Sequence, residues 1–174
     1  ETQYVGMFGY VYTKSAIKNF RLTDSYFCNT NSELSMIGSV AGETRGVIDG
    51  VYSNAVVVGY GPQIAGIVAR ANDNDDDKKP DTTTITNCWF DGEVTGAKYV
   101  GGIAGQADSI FNSENKAIII GKDKVGGVAG ATKYISASTN NATVTGNGTV
   151  GGVAGEANRV LECINYADIT NNST

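Results

Sequence analysis

Apolar and polar side chains alternate along ITNCWFDGEVTG, residues 85–96. Positions 88, 90, 92 and 94 hold Cys, Phe, Gly and Val, whereas positions 89, 91, 93 and 95 hold Trp, Asp, Glu and Thr. A period of two is typical of a β-strand that buries one face. Turn formers such as Gly146-Asn147-Gly148 separate blocks of this kind, so the pattern predicts short strands joined by turns.

A glycine-rich hexapeptide recurs along the chain. VGGIAG begins at Val100, and VGGVAG begins at Val125 and at Val150, so both intervals are 25 residues. Weaker copies begin at Ile37 and Ile64, and a copy that is one residue shorter begins near residue 5. An alternating block follows each copy. A repeat of this length cannot bury a hydrophobic face alone, but stacked repeats can.

The repeat predicts the fold class. Glycine at this density is unfavourable in helices, costing about 1 kcal/mol per residue. We therefore expect an all-β fold, a right-handed parallel β-solenoid of about six coils, with handedness taken from the usual crossover preference. The coils start near residues 5, 37, 64, 100, 125 and 150 of a single domain, 1–174. The repeat positions expected to shape each coil are Val100, Gly101, Gly102, Ile103, Gly105, Val125, Gly126, Gly127, Gly130, Val150, Gly151, Gly152 and Gly155.

Stacking places equivalent residues about 4.8 Å apart in columns. We expect one inward column to contain Ile17, Ile48, Ile85, Ile110, Ile135 and Val160, and another to contain Tyr26, Val57, Val94, Ile119, Val144 and Ile169. A third inward column ends in Asn115, Asn140 and Asn165. Because buried amides need partners, these three predict a hydrogen-bonded ladder, and the alternative is a polar binding slot.

Composition narrows the possible functions. The formal charge is −5 and no basic block occurs, which argues against nucleic acid or an anionic membrane as a partner. No apolar run is long enough to insert in a membrane as a helix. Histidine is absent, which excludes Ser-His-Asp, Cys-His and HExxH sites from this chain. The three cysteines, Cys28, Cys88 and Cys163, are expected to be free thiols that fill small apolar spaces.

The paired blocks resemble a known repeat family. VGGIAG, VGGVAG and the GMFG at residues 6–9 look like the GLUG motif of bacterial surface proteins, and the similarity covers essentially the whole chain. The copies at Ile37 and Ile64 depart from the motif, since Ser39 replaces a glycine and we expect IAGIVA to be shifted. The resemblance implies a segment of a large secreted or wall-attached bacterial protein, adhesin-like and outside any catalytic domain.

An acidic insertion, NDNDDDKKPD at residues 72–81, lies in the longest interval between repeats. Asp73, Asp75 and Asp77 alternate as oxygen ligands do in calcium loops. The glycine and glutamate of an EF-hand are missing, because those positions hold Lys78 and Thr84. The insertion is therefore either a calcium site or a solvated loop, and no other cofactor is expected.

Two outward aromatic residues, Tyr52 and Trp89, fall in one column of adjacent coils. Rings about 5 Å apart on an exposed sheet would form a platform for a sugar. Nearby outward positions hold Val56, Val58, Ile118 and Ile120, an apolar patch typical of contact with another domain.

A β-helical polysaccharide-active enzyme is a further alternative. Such enzymes cluster carboxylates on one face, but Glu93 and Asp168 share a column three coils apart. Glu43 and Arg70 are expected to form a surface ion pair. We therefore expect no enzyme. The chain is expected to be a secreted or cell-surface module, an adhesin-like unit or a structural spacer. Its expected partners are flanking domains, host proteins or glycans.

Overall fold

The computed structural model describes residues 2–29, 34–72 and 83–173, and these residues form four β-sheets without helices. Within the described residues, each coil passes through all four sheets, and every strand pairs in parallel with the equivalent strand of the next coil. The predicted parallel β-solenoid is therefore confirmed. Its right-handed winding stays a prediction of the crossover preference.

The first and second sheets meet at the glycine-rich motif. Strands of the first sheet are Gln3–Val5, Ser35–Gly38, Gln63–Ala65, Lys98–Gly101, Asp123–Gly126 and Val150–Gly151. Those of the second are Phe8–Val11, Ala16–Lys18, Ala41–Thr44, Val47–Asp49, Val68–Ala71, Thr84–Thr86, Ala104–Phe111, Ala129–Ser136 and Ala154–Leu161. The last three coils thus contribute one long strand to the second sheet, where the first three contribute two short ones.

The alternating blocks form the third and fourth sheets. Strands of the third sheet are Arg21–Leu22, Tyr52–Ser53, Trp89–Phe90, Glu114–Asn115, Thr139–Asn140 and Ile164–Asn165. Those of the fourth are Tyr26–Asn29, Val56–Gly59, Glu93–Thr95, Ile118–Ile120, Val144–Gly146 and Ile169–Asn171. The short strands of the third sheet let two neighbouring residues per coil point in opposite directions, one inward and one outward.

The register confirms the six coil starts. The first residues of the six glycine-rich copies lie side by side through the first sheet: Val5, Ile37, Ile64, Val100, Val125 and Val150. Ile64 pairs with Val100 and Ala65 with Gly101, so the third copy is in register and is not shifted. The third copy has Ile64 and Ala65 where the fourth has Val100 and Gly101, and this difference has left the path of the backbone unchanged.

The register of one predicted core column is confirmed throughout, although Val160 at its end is 50% exposed. Its neighbours pair in the order Ile17, Ile48, Ile85, Ile110, Ile135 and Val160. The four central isoleucines are fully buried, and burial of each such side chain contributes about 1.5–3 kcal/mol. The core is therefore a set of thin aliphatic columns in which each coil supplies one residue per column.

The second predicted column is wrong in its first member. Val57 pairs with Phe27, and Tyr26 instead pairs with Val56 on the outward side, where it is exposed. Leu22 and Phe27 are five residues apart, whereas their partners Ser53 and Val57 are four apart. The first coil therefore has one extra residue in this turn. A one-residue slip exchanges the two faces of a strand, which is why Tyr26 points outward.

The amides of Asn115, Asn140 and Asn165 form a continuous ladder. Asn115 Nδ2 donates to Asn140 Oδ1 at 2.8 Å, and Asn140 Nδ2 donates to Asn165 Oδ1 at 2.8 Å. Asn140 Nδ2 also donates to the carbonyl oxygen of Ala142, and the Ala142 N–H donates to Asn140 Oδ1. Both hydrogens and both lone pairs of this buried amide are used, which leaves no part of it for a ligand.

The second glycine of the VGG motif makes room for this ladder. A Cβ atom on Gly102, Gly127 or Gly152 would overlap the side chain of the asparagine in the same coil. In the second coil Ser39 replaces that glycine, and its hydroxyl lies 2.8 Å from the hydroxyl of Ser53. In the third coil Gly66 faces the ring of Phe90, so the small residue at this position makes room for an amide, a hydroxyl or an aromatic ring in different coils.

Candidate functional site

The third sheet brings the two predicted aromatic residues together. Trp89 pairs with Tyr52 in the preceding coil, and both side chains point outward because Phe90 and Ser53 occupy the inward positions. Trp89 is 41% exposed, and Tyr52 is half-buried. The placement of this pair follows directly from the period of two and the register of the coils.

Arg21 extends the same outward column into the first coil, a residue that sequence reasoning missed. Arg21 pairs with Tyr52, and its guanidinium carbon lies 4.1 Å from the centre of the Tyr52 ring. This is a cation–π contact, worth about 0.5–1 kcal/mol at an exposed site. The signal in the sequence was the column itself, since Arg21 lies one repeat before Tyr52.

Polar residues continue the face beyond Trp89. Glu114 is the next residue of the column. Its carboxylate is neutralised by Lys116 Nζ at 3.4 Å and accepts a hydrogen bond from Asn141 Nδ2 at 2.6 Å. The outward column therefore runs from a cation through two aromatic rings to a neutralised carboxylate.

The acidic candidates Asp73, Asp75 and Asp77 lie outside the described residues. The described strands on either side of them are Val68–Ala71 and Thr84–Thr86, both in the second sheet. Over residues 2–29, 34–72 and 83–173 there is no group of three or more acidic or thiol side chains that could hold a metal ion. The calcium hypothesis thus stays a prediction about residues 73–77.

The Glu43–Arg70 pair forms, but the surface location predicted for it is wrong. Arg70 Nε donates to Glu43 Oε2 at 3.0 Å, and the side chain of Glu43 is fully buried. Burial raises the pKa of the neighbouring Tyr4, and the charge of Glu43 and a hydrogen bond to it raise that pKa further. The first sheet covers this carboxylate because Gly42 lets the two backbones approach, with room for no side chain between them.

A polar cavity of about 180 Å³ opens on the outer side of the second sheet, and the sequence analysis did not foresee it. Two of its carboxylates already pair with lysines: Asp108 Oδ1 lies 2.7 Å from Lys133 Nζ, and Glu156 Oε2 lies 2.9 Å from Lys124 Nζ. Gln106, Asn158, Asn72 and Thr132 also line it. Ala131 also lines the cavity, between Gln106 and Glu156 of the neighbouring coils.

The fourth sheet carries the predicted apolar patch. Ile118 and Ile120 are 49% and 45% exposed, and Val56 and Val58 on the same outward side are half-buried. Glu93, in the coil between them, lies beside Val56 and Ile118. Asp168 belongs to the sixth coil, so these two carboxylates do not meet.

The cysteines occupy three different environments. Cys88 is buried, Cys163 is partly buried, and Cys28 is exposed, so the prediction of an apolar filler is wrong for Cys28. Cys28 pairs with Val58 on the outward side of the fourth sheet, as a consequence of the extra residue in the first coil. Burial raises the pKa of the Cys88 thiol to about 12, which keeps it protonated and unreactive at neutral pH.

Comparison with known protein families, curated proteins and solved structures gives no match for this chain. The resemblance to GLUG repeats therefore stays a prediction. Among the described residues, none lies in a helix long and apolar enough to cross a bilayer.

Proposed function

We propose that this chain is a non-catalytic module of a bacterial surface protein, an adhesin-like unit or a structural spacer that presents a sheet face to a partner. The observation that carries the proposal is the unbroken register of six coils through four parallel sheets. Each coil is hydrogen-bonded to the next in every sheet and shares the same core columns. Such a stack resists bending because bending would separate paired strands and open the core.

The apolar outward side of the fourth sheet supports a role in contact with another protein. Ile118 and Ile120 are exposed in the fourth coil, and Val56 and Val58 lie on the same outward side two coils away, with Glu93 and Thr95 between the two pairs. Exposed apolar side chains on one sheet face commonly mark protein contacts. The partners proposed are flanking domains of the parent protein or host proteins. A secreted or cell-surface location follows from the family resemblance and is part of the proposal.

Stiffness can be measured with two spin labels on one outward column. Arg21 and Ile164 occupy the first and sixth coils of the same column of the third sheet. Five coil steps place their Cα atoms about 24 Å apart. With the three native cysteines replaced and labels at Arg21→Cys and Ile164→Cys, electron–electron double resonance should give one narrow distance distribution. The same doubly labelled protein, unfolded in guanidinium chloride, supplies the reference for a broad distance distribution.

A broad distribution under native conditions would contradict a spacer role, because a module that bends freely cannot hold a partner at a fixed distance.

A second candidate function, carbohydrate binding, is favoured by the exposure of Trp89 next to Tyr52. The indole of Trp89 offers an apolar surface to a sugar ring. The Tyr52 hydroxyl and the Arg21 guanidinium, whose carbon lies 4.1 Å from the centre of the Tyr52 ring, offer polar groups to the sugar's hydroxyls. On a glycan array we expect at least one hit for the wild type, and loss of that hit in Trp89→Ala. Ile120→Ala, which removes an equally exposed apolar side chain from the fourth sheet, should keep it. An array without hits would exclude this candidate.

A further inference from the structure

The first three coils place Arg21, Tyr52 and Trp89 in one outward column of the third sheet. Arg21 and Trp89 are exposed, and Tyr52 lies half-buried between them. This cluster, the Arg-Tyr-Trp column, combines a cation with two aromatic rings on a backbone that is fixed by the register of the solenoid.

The ring of Tyr52 holds the guanidinium of Arg21 by a cation–π contact. The guanidinium carbon lies 4.1 Å from the ring centre, which places the charged group over the second coil. Within the described part of the chain, no carboxylate lies within salt-bridge distance of Arg21. Its N–H groups are therefore available to an anion from outside.

Trp89 lies one coil step farther along the column. Neighbouring coils are about 4.8 Å apart, so the Arg21 fork over Tyr52 and the indole of Trp89 are separated by about one step. A sugar ring stacked on Trp89 would bring an acidic group on its edge to the guanidinium. On the far side of Trp89, Lys116 already pairs with Glu114, so the cation on that side is engaged and Arg21 is the cation of the column that an anion can reach.

We propose that the Arg-Tyr-Trp column binds an acidic saccharide, with a sugar ring on Trp89 and its carboxylate on Arg21. The proposal rests on the carbohydrate-binding function suggested above and gives it a substrate class and an orientation. A planar fork fits a carboxylate through two parallel hydrogen bonds, which favours a uronic acid over a sulfated sugar. The acidic edge points toward the first coil, and hydroxyl groups face Glu114 and Asn141.

The test uses three oligosaccharides: a galacturonic acid oligomer, the same oligomer as its methyl ester, and a sulfated galactose oligomer. Isothermal titration calorimetry with wild type should show the acid binding about tenfold more tightly than the ester, as expected for one charge-assisted contact. Arg21→Gln should bind acid and ester equally. Trp89→Ala should bind neither. Lys18→Gln removes an exposed cation of the first coil that lies in the second sheet, and it should leave the preference unchanged.

The outcomes distinguish failure of sugar binding at Trp89 from failure of carboxylate recognition by Arg21. Equal binding of acid and ester by wild type, with loss in Trp89→Ala, would overturn the acidic class and leave the sugar platform standing. Tighter binding of the sulfated oligomer would overturn the assignment of a carboxylate as the group that Arg21 recognises. No binding by wild type, or full binding by Trp89→Ala, would overturn the platform itself. Circular dichroism of each variant confirms that the sheets are intact.

Discussion

Asn140→Asp is expected to lower the free energy of unfolding by about 3–5 kcal/mol at pH 7, the range observed when a buried charge is left uncompensated. The side chain of Asn140 is fully buried, and its Nδ2 donates to Asn165 Oδ1 and to the Ala142 carbonyl. A carboxylate oxygen in place of that nitrogen would face two acceptors. Only the bond from Asn115 Nδ2 and the weak contact from the Ala142 N–H would remain favourable.

The effect should depend on pH in a defined direction. In the folded variant, burial and the two facing acceptors raise the pKa of the new carboxyl above its unfolded value of about 3.9. A raised acid pKa makes stability fall as pH rises through the unfolded value. The difference between Asn140→Asp and wild type should therefore narrow as pH falls from about 7 toward 4 in urea titrations, because the protonated carboxyl regains a donor.

Asn165→Asp is the matched control, because Asn165 lies in the same column but is exposed in the sixth coil. Water can solvate its carboxylate, so a change below about 1 kcal/mol is expected there. An equal loss in both variants would show that the ladder owes its importance to something other than burial.

The coil starts and the core columns could be predicted because a solenoid turns a sequence interval into a spatial neighbour. Ile110 and Ile135 are 25 residues apart and lie side by side, as the interval requires. The same rule placed Trp89 beside Tyr52. Where the repeat length is constant, the sequence alone determines which side chains meet.

The rule failed where the interval changed by a single residue. The extra residue before Tyr26 moved Phe27 into the core column and turned Tyr26 and Cys28 outward. The first repeat is divergent, so nothing in its sequence marked which turn held the insertion. Hydrogen-bond register, and not residue type, decided the outcome.

Contacts between different columns could not be predicted from the sequence either. Burial of Glu43 depends on how closely the first and second sheets approach, and that distance is set by Gly42 against the backbone of Tyr4. The stacking of Arg21 on Tyr52 depends on side-chain torsions that a column order does not fix. A one-dimensional repeat predicts neighbours along the stack and leaves neighbours around the coil undetermined.

Gly127→Ala is expected to lower the free energy of unfolding by about 3 kcal/mol, at the upper end of the usual cost of overpacking a core. The new methyl group would overlap Asn140 Cγ and the carbonyl oxygen of Gly152 in the next coil. The Asn140 side chain is fixed by four hydrogen bonds, and the Gly152 carbonyl accepts a backbone hydrogen bond from the Gly127 N–H. Neither group can move away without breaking these bonds. Urea unfolding followed by circular dichroism measures the loss.

Two further variants test the cause of that loss. Gly9→Ala is the control, because the nearest atom to its added methyl group is Tyr4 O at 3.4 Å, an ordinary contact, and its stability should stay within about 0.5 kcal/mol of wild type. In Gly127→Ala/Asn140→Ala, one of the two overlaps is gone while the overlap with Gly152 remains. The double variant should therefore be more stable than the sum of the two single losses predicts, with a coupling of about 1 kcal/mol. Strict additivity would mean that the glycine and the asparagine do not share one space, and that the small residue of the motif serves only the backbone.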